Sequence, residues 1–197
     1  MEELNKQIEF IKEIDKIKYI LRKTKLFNSD RHENDAEHSW HLAMMAIVLQ
    51  QYSNTSIDLL KVIKMLLIHD IVEIDAGDTF LFDQNKNHKN TEAELKAAKR
   101  IFGMLPARQA AELIYVWEEF EAGETAEAKF AKAIDNLEPI LQNDTNNGGT
   151  WSEFNVPYET VLEKKEVIKH GSQTLWQFAQ QIFKRNKENG NLKSVGY

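Results

Sequence analysis

The chain has 197 residues, a formal net charge of −6 and no cysteine. This length suits one large domain with a sizeable core, and 42% hydrophobic residues exclude an intrinsically disordered chain. Without cysteine the protein has no disulfide, thiolate metal site or cysteine nucleophile, which favours a reducing, cytoplasmic location. Any metal must be held by histidine nitrogens and carboxylate oxygens.

Helical periodicity runs through nearly the whole sequence and predicts an all-α fold. The predicted helices cover 2–22, 35–53, 57–74, 90–103, 106–121, 124–143 and 157–187. Asn34 or Asp35, Ser56 and Asn90 precede three of them as candidate N-caps. Neither a repeat nor a linker is evident, so residues 1–197 are predicted to form a single domain. The C-terminal helix either completes the bundle or forms a dimer contact.

The beginning of the chain is charged, and no stretch approaches 18 apolar residues. The sequence therefore predicts neither a signal peptide nor a membrane partner. The acidic balance also argues against binding a nucleic acid polymer, which needs clustered lysine and arginine. The segment 16–31 nevertheless contains six basic residues and only one acidic residue, Asp30. The lysines among them are typical of a solvated helix face, whereas arginine is suited to phosphate.

Two polar segments, 24–34 and 75–90, interrupt the helical pattern and contain the aromatic residues Phe27, Phe80 and Phe82. Loops of this kind on a rigid scaffold commonly have functional roles. The alternative is that these phenylalanines only pin the loops to the core.

The predicted helix 57–74 is apolar on almost every side, which is typical of a central, buried helix. At about 100° per residue, His69, Asp70 and Glu73 share one side, opposite Lys61 and Lys64. Burying an imidazole and two carboxylates is costly unless something compensates, and a divalent cation would do so.

Two other predicted helices add candidate ligands to this doublet. His38 lies near the start of the helix AEHSWHLAMMAIVL, and Asp135 lies on the apolar face of AKFAKAIDNLEPIL. Two nitrogens and two oxygens form a set that suits a divalent transition metal with sites left for water and substrate. We interpret His41 as a histidine that is packed or that supports a ligand, rather than as a ligand itself. His32, His88 and His170 lie in loop or surface contexts and are not expected to be ligands.

Three blocks carry a family resemblance: RHENDAEHSWHLA at 31–43, MLLIHDIVEIDAGDT at 65–79 and KAIDNLEPILQN at 132–143. Together they resemble the HD superfamily of metal-dependent phosphohydrolases, and in particular its 5′-deoxynucleotidase-like branch. The resemblance covers about 10–150. It implies an HD-type helical bundle whose central buried helix contains the His-Asp doublet, commonly a homodimer with a single metal.

The resemblance also implies roles for individual residues. His38, His69, Asp70 and Asp135 would bind one divalent ion, which is Mn, Co, Fe, Ni, Zn or Mg. Glu73 would act as the general acid or base; the alternative is a carboxylate that only hydrogen-bonds a ligand histidine.

Three residues are candidates for substrate binding. Arg22 would contact the phosphate, and Arg31 is a second candidate that can instead pair with Glu33 or Glu37. Asp78 would accept a hydrogen bond from the sugar 3′-hydroxyl, or else serve as a turn residue.

The chain departs from the family pattern at one position. Lys23 stands where the pattern has an aromatic residue after the arginine, which leaves selectivity between ribose and deoxyribose open. Trp40 and Trp151 are interpreted as core or interface residues.

The leading hypothesis is therefore a metal-dependent phosphomonoesterase that hydrolyses nucleoside 5′-monophosphates, in particular 2′-deoxy ones. One alternative is an HD-type phosphodiesterase or pyrophosphohydrolase acting on a signalling nucleotide. The other alternative is a non-catalytic dimer that binds metal or nucleotide.

Overall fold

A computed structural model of the chain describes residues 1–78, 81–82 and 91–193. The candidate anchor Phe80, His88 and the candidate cap Asn90 lie outside the described residues. Among the described residues, no helix is long and apolar enough to cross a membrane.

The described part of the chain is predominantly helical, as predicted. The helices are α1 (Glu2–Ile14), α2 (Asp35–Leu49), α3 (Leu59–Ile68), α4 (Glu73–Ala76), α5 (Thr91–Phe102), α6 (Ala107–Ala122), α7 (Ala126–Thr145), α8 (Gly149–Glu153), α9 (Tyr158–Lys165), α10 (Ile168–Gly171) and α11 (Gln173–Glu188). Short 3₁₀ turns cover Asp15–Tyr19, Gln50–Tyr52 and His69–Val72. One hydrophobic core includes side chains from Phe10 to Leu192.

The first predicted helix is too long at its C-terminal end. After α1 and a 3₁₀ turn the chain becomes extended and forms an antiparallel hairpin of β1 (Leu21–Lys25) and β2 (His32–Asn34). Arg22 and Thr24 point inward from β1, whereas Lys23 is exposed. Side chains that alternate between inward and outward directions are typical of a strand. The strand is so short that the helical periodicity of the preceding residues led to the prediction of a helix here.

The start of α2 follows the prediction in detail. The Asn34 side chain accepts a hydrogen bond from the Glu37 N–H at 3.0 Å, and the Glu37 carboxylate accepts one from the Asn34 N–H at 3.2 Å. This reciprocal capping box ends the hairpin and begins the helix at one residue.

The central helix is buried as predicted but ends earlier. Asp58, not Ser56, caps its N-terminus, and the α-helix stops at Ile68, so that the His-Asp doublet lies in the following 3₁₀ turn. The side-chain directions predicted for His69, Asp70 and Glu73 assumed one continuous α-helix. They are therefore wrong, because the α-helix ends at Ile68. Lys61 and Lys64 lie on the outer side as predicted, paired with glutamates of α6.

The predicted C-terminal helix is divided into α9, α10 and α11. Gly171 ends α10 at a close approach to α7, because a Cβ there would lie 2.2 Å from the carbonyl oxygen of Lys129. Trp176 and Phe183 of α11 are buried in the common core. This region therefore packs on the bundle, and its predicted part in a dimer contact stays a prediction.

Candidate metal centre and substrate cavity

Side chains from three separate elements converge at the end of α3. His38 comes from the first turn of α2, His69 and Asp70 come from the 3₁₀ turn, and Asp135 comes from the middle of α7. The Asp135 Oδ1 atom lies 3.1 Å from His38 Nε2 and 3.7 Å from His69 Nε2. Asp70 Oδ1 lies 3.1 Å from His69 Nε2.

These separations suit a common ion. Ligand atoms about 2.1 Å from a metal lie about 3.0 Å apart when their bonds are at right angles. Nitrogen and oxygen atoms of His38, His69 and Asp135 all lie within 4.8 Å of one another. Two imidazoles with carboxylates form a donor set for Mn²⁺, Fe²⁺, Co²⁺, Ni²⁺ or Zn²⁺. The residues present therefore fit a divalent metal.

The two histidine rings are oriented by groups behind them. His69 Nδ1 lies 3.0 Å from the Leu66 carbonyl oxygen, which must accept a hydrogen bond, so this nitrogen holds the proton and Nε2 faces the cluster. His38 Nδ1 lies 3.4 Å from Glu138 Oε2 and 3.5 Å from Glu33 Oε2. The hydrogen bond to Leu66 fixes the His69 ring, and the two acidic oxygens near His38 Nδ1 favour the same orientation, with Nε2 towards the cluster.

The electrostatics of these ligands reflect their mutual contacts. Burial opposes charge on His38 and Asp135, but their proximity outweighs it, so that the pKa of His38 is raised and the pKa of Asp135 is lowered. Burial also opposes ionisation of Glu138, yet His38 and His41 lower its pKa to about 2. The predicted packing role of His41 agrees with its contact of 3.3 Å to Glu138.

A second cluster consists of the carboxylates of Asp35, Asp70 and Glu73, with one oxygen of each within 4.8 Å of the others. Burial and the neighbouring carboxylates raise the pKa of Glu73 to about 11. Burial and Asp70 raise the pKa of Asp35 to about 7. Glu73 Oε2 is buried and has no hydrogen-bond partner among the described residues. Without metal, burial and the neighbouring carboxylates therefore favour the protonated form of Glu73, beside the candidate ligands.

Arg22 provides the positive charge of this cluster. Its Nη1 atom lies 3.0 Å from Asp70 Oδ2 and 3.6 Å from Asp35 Oδ1, and its Nε lies 3.6 Å from Glu33 Oε2. Burial opposes its charge, but Asp70, Asp135 and their neighbours raise its pKa further. The hairpin thus places a guanidinium next to the candidate metal ligands.

A cavity of about 90 Å³ lies next to Arg22 and includes Asp78 in its wall. Its other lining residues include Phe82, Trp151 and Lys165. An open polar groove of about 600 Å³ shares three lining residues with it, namely Lys23, Asn143 and Thr150.

Other predicted residues lie apart from this cluster. Arg31 is exposed and forms two hydrogen bonds with the Glu37 carboxylate at 2.9 and 3.0 Å, which is the alternative that the sequence left open. Lys16 and Lys18 pair with acids on their own turns, as expected for a solvated face. Of the two tryptophans interpreted as core or interface residues, Trp151 is in the core, whereas Trp40 is 64% exposed and is not a core residue.

The sequence does not predict Glu33, Asp35 or Lys165 at this site, where the structure brings them together with Arg22. Asp35 is predicted only as a residue at a helix start, although it is fully buried beside Arg22. Lys165 carries a visible signal, because Val161, Lys165 and Ile168 follow helical spacing and place a lysine on an apolar stripe.

Comparison with known proteins identifies the family of the chain. A sequence model described as HD domain matches residues 14–176, which is most of the chain. The chain belongs to the HD-domain family. This confirms the resemblance inferred from the motifs.

The curated relatives are named 5′-deoxynucleotidases, and a similar solved structure is described as a metal-dependent phosphohydrolase. The chain is 30% identical over 136 residues to 5′-deoxynucleotidase HDDC2 of Homo sapiens, covering 68% of this chain and 65% of that protein. It is 29% identical to HDDC2 of Danio rerio over 84% of each chain. The crystal structure of a predicted metal-dependent phosphohydrolase from Magnetospirillum magnetotacticum MS-1 superposes with a TM-score of 0.92. It is 47% identical, covering 96% of this chain and 95% of that one. The chain thus spans just under two thirds of the length of the human relative.

Proposed function

We propose that this HD-domain protein is a metal-dependent phosphomonoesterase that hydrolyses nucleoside 5′-monophosphates, including 2′-deoxy ones, to nucleoside and phosphate. The observation that carries the proposal is the junction of the ligand cluster with Arg22, whose Nη1 lies 3.0 Å from Asp70. The Asp70 carboxylate therefore belongs to the proposed cation site and also contacts the Arg22 guanidinium, which is proposed to bind phosphate. The relatives named 5′-deoxynucleotidase and the family support this substrate class.

In this proposal His38, His69, Asp70 and Asp135 hold one divalent ion. When bound, such an ion polarises the phosphate and supplies a nucleophilic water near neutral pH. The chemistry of the four side chains leaves Mn, Co, Fe, Ni, Zn and Mg as candidates.

The remaining site residues bind substrate and move protons. Arg22 binds the phosphate through its planar fork, which matches phosphate oxygens. Glu73 is the general acid or base: its raised pKa favours the protonated form, from which it can give a proton to the 5′-oxygen as the P–O bond breaks. Asp78, in the wall of the adjacent cavity, accepts a hydrogen bond from the sugar hydroxyl. Arg31 stays a candidate only, because it is exposed and does not line the cavity that includes Arg22 and Asp78.

A substrate panel tests this function. Metal-stripped protein is assayed for phosphate release from deoxyribo-, ribo- and 2′,3′-dideoxynucleoside 5′-monophosphates, with Mn²⁺, Co²⁺, Mg²⁺ or Zn²⁺ added separately. Turnover is expected on the monophosphates, and less on the dideoxy substrates, which lack the hydroxyl partner of Asp78. Hydrolysis confined to cyclic nucleotides or nucleoside polyphosphates would instead identify a phosphodiesterase or pyrophosphohydrolase.

Variants link the activity to this site. Asp70→Ala and Glu73→Ala are expected to abolish turnover with the fold retained, while the exposed Asp75→Ala serves as the matched control from the same turn. Unchanged hydrolysis in both site variants would refute the mechanism. Nucleotide binding without turnover on any substrate would favour the non-catalytic alternative.

Two further expectations belong to this proposal. We propose, from the family resemblance, that the chain forms a homodimer, which light scattering would show as twice the chain mass. A cytoplasmic location, favoured by the absence of cysteine, stays a prediction.

A further inference from the structure

Lys165 is a buried lysine that the proposed mechanism does not yet use. It is the last residue of α9, is 6% exposed and lies in the wall of the same cavity as Arg22 and Asp78. Lysine is seldom buried to this extent unless its charge is paired.

The charge of Lys165 is not paired within the described part of the chain. Its Nζ atom donates a hydrogen bond to the neutral amide oxygen of Asn136 at 2.9 Å. Among the described residues, no carboxylate oxygen lies within 4.0 Å of this nitrogen. An ammonium group has three donors, so a buried ammonium with one neutral partner has two donors left for a ligand.

The surroundings of Lys165 indicate an anion. Burial lowers its pKa to about 8, and Arg22 and Lys164 act in the same direction, while Asp135 and Glu138 oppose them. The lysine is therefore within the electrostatic reach of both the candidate phosphate-binding arginine and a candidate metal ligand. Burying an unpaired charge is costly, and an anionic ligand in the cavity would offset that cost.

We propose that Lys165 binds the substrate phosphate directly, donating to a phosphate oxygen from the side of the cavity that Arg22 does not occupy. This inference rests on the proposed phosphomonoesterase function for the identity of the anion. Two cations then hold the phosphate, and the hydrogen bond to Asn136 fixes the position of the ammonium group. Lys165 is thus a binding residue supplied by the C-terminal part of the chain, outside the three sequence blocks of the family motif.

The test compares Lys165→Met, Lys165→Arg and the control Lys169→Met. Methionine fills a similar volume without charge, and Lys169 lies on the surface in a pair with Glu166. The first readout is binding of inorganic phosphate to the metal-loaded protein by titration calorimetry. The second is the steady-state hydrolysis of a nucleoside 5′-monophosphate, with the nucleoside product as a competing ligand.

Lys165→Met is expected to weaken phosphate binding and to lower kcat/KM by about 10- to 100-fold, the size of losing a hydrogen bond to a charged group. Binding of the uncharged nucleoside is expected to stay within about twofold of wild type, which a general loss of structure would not allow. Lys165→Arg is expected to recover part of the phosphate affinity, and Lys169→Met to match wild type. Phosphate affinity and kcat/KM unchanged in Lys165→Met would overturn the inference.

Other outcomes separate this inference from the proposed function. If wild-type protein hydrolyses no monophosphate but Lys165→Met still loses phosphate affinity, only the proposed function fails. If wild-type protein is active and Lys165→Met is equally active, only the inference fails. Should the variants not fold, a crystal of wild-type protein with inorganic phosphate decides: Lys165 Nζ within hydrogen-bond distance of the anion supports the inference, and a phosphate held by Arg22 alone overturns it.

Discussion

At the scale of single residues, the proposed role of Glu73 in proton transfer rests on its raised pKa. Burial and three neighbouring aspartates, Asp70, Asp35 and Asp78, all disfavour its charged form. An ordinary surface glutamate would be ionised at neutral pH and could not donate a proton. The environment of the residue, rather than its type, therefore suits it to act as an acid.

Glu73→Gln is expected to lower kcat by about 10²- to 10⁴-fold, because glutamine keeps the shape but cannot transfer the proton. Its stability is expected to equal or exceed that of wild type, since a carboxyl is removed from a crowded acidic cluster. Steady-state kinetics and urea unfolding check both parts. The control is Asp75→Asn, an exposed acid two residues away. A variant with near wild-type kcat would contradict the role of Glu73.

Arg22 balances several buried acids at once. Because Asp35 and Asp70 lie beside it, Arg22→Met leaves their charge uncompensated and is expected to lower the free energy of unfolding by about 3 kcal/mol without metal. Added metal should recover part of this loss, since the ion supplies positive charge nearby. Chemical denaturation with and without metal measures it. The exposed pair of Arg185 with Asp144 provides the control, and Arg185→Met should change little.

At the scale of elements, the site depends on where α-helices begin and end. α2 begins at the capping box, which sets His38 in its first turn, and α3 ends before His69. The turn after α3 is 3₁₀, and this tighter winding decides which side chains of the doublet meet α2 and α7.

Two helix caps allow a matched comparison. Asn34→Ala and Asp58→Ala each remove one side-chain acceptor from a helix N-terminus and are each expected to cost about 1 kcal/mol of stability. Only Asn34→Ala is expected to weaken metal binding as well, because α2 holds His38. Thermal unfolding and metal titration separate the two effects. Equal metal affinity in both variants would show that the cap does not position the ligand.

The two-stranded hairpin is the element that periodicity misassigned. Its strands are short, and β1 contains no apolar run that would mark a strand in the sequence LRKTK. The pairing with β2 makes Arg22 point inward, and an α-helix continuing from α1 would not have produced this alternation.

At the scale of the whole molecule, bound metal is expected to link three parts of the chain that are far apart in sequence. Removing the metal with a chelator should lower the Tm by about 5–10 °C, taking a metal concentration of about 100 times its Kd and a chain of this length. Differential scanning calorimetry with and without chelator measures the shift. Asp135→Asn, which removes one ligand charge, should show a smaller shift. A Tm that does not depend on metal in the wild type would contradict the site.

The metal-free protein is also expected to lose stability as the pH rises from about 5 to 8. The pKa of Asp35 is raised to about 7 and that of Glu73 to about 11, so that in this range the folded chain binds more protons than the unfolded chain. Urea unfolding at several pH values in chelator measures the slope. Asp35→Asn should flatten the part near pH 7, and a stability that rises over this range would contradict the argument.

The sequence by itself determined the helical class, the buried central helix and the candidate ligands His38, His69, Asp70 and Asp135, because helical periodicity and motif spacing are local properties of the chain. Tertiary structure alone decided that Arg22 contacts Asp70, that Arg31 does not join it, and that Lys165 enters the cavity wall. The hairpin, the ends of α3 and the packing of α9 set these positions, and the contact of Arg22 with Asp70 spans 48 residues of sequence. Ion pairing and the burial of side chains depend on residues that are distant in sequence. The net charge of −6 therefore does not indicate where the buried cations Arg22 and Lys165 lie.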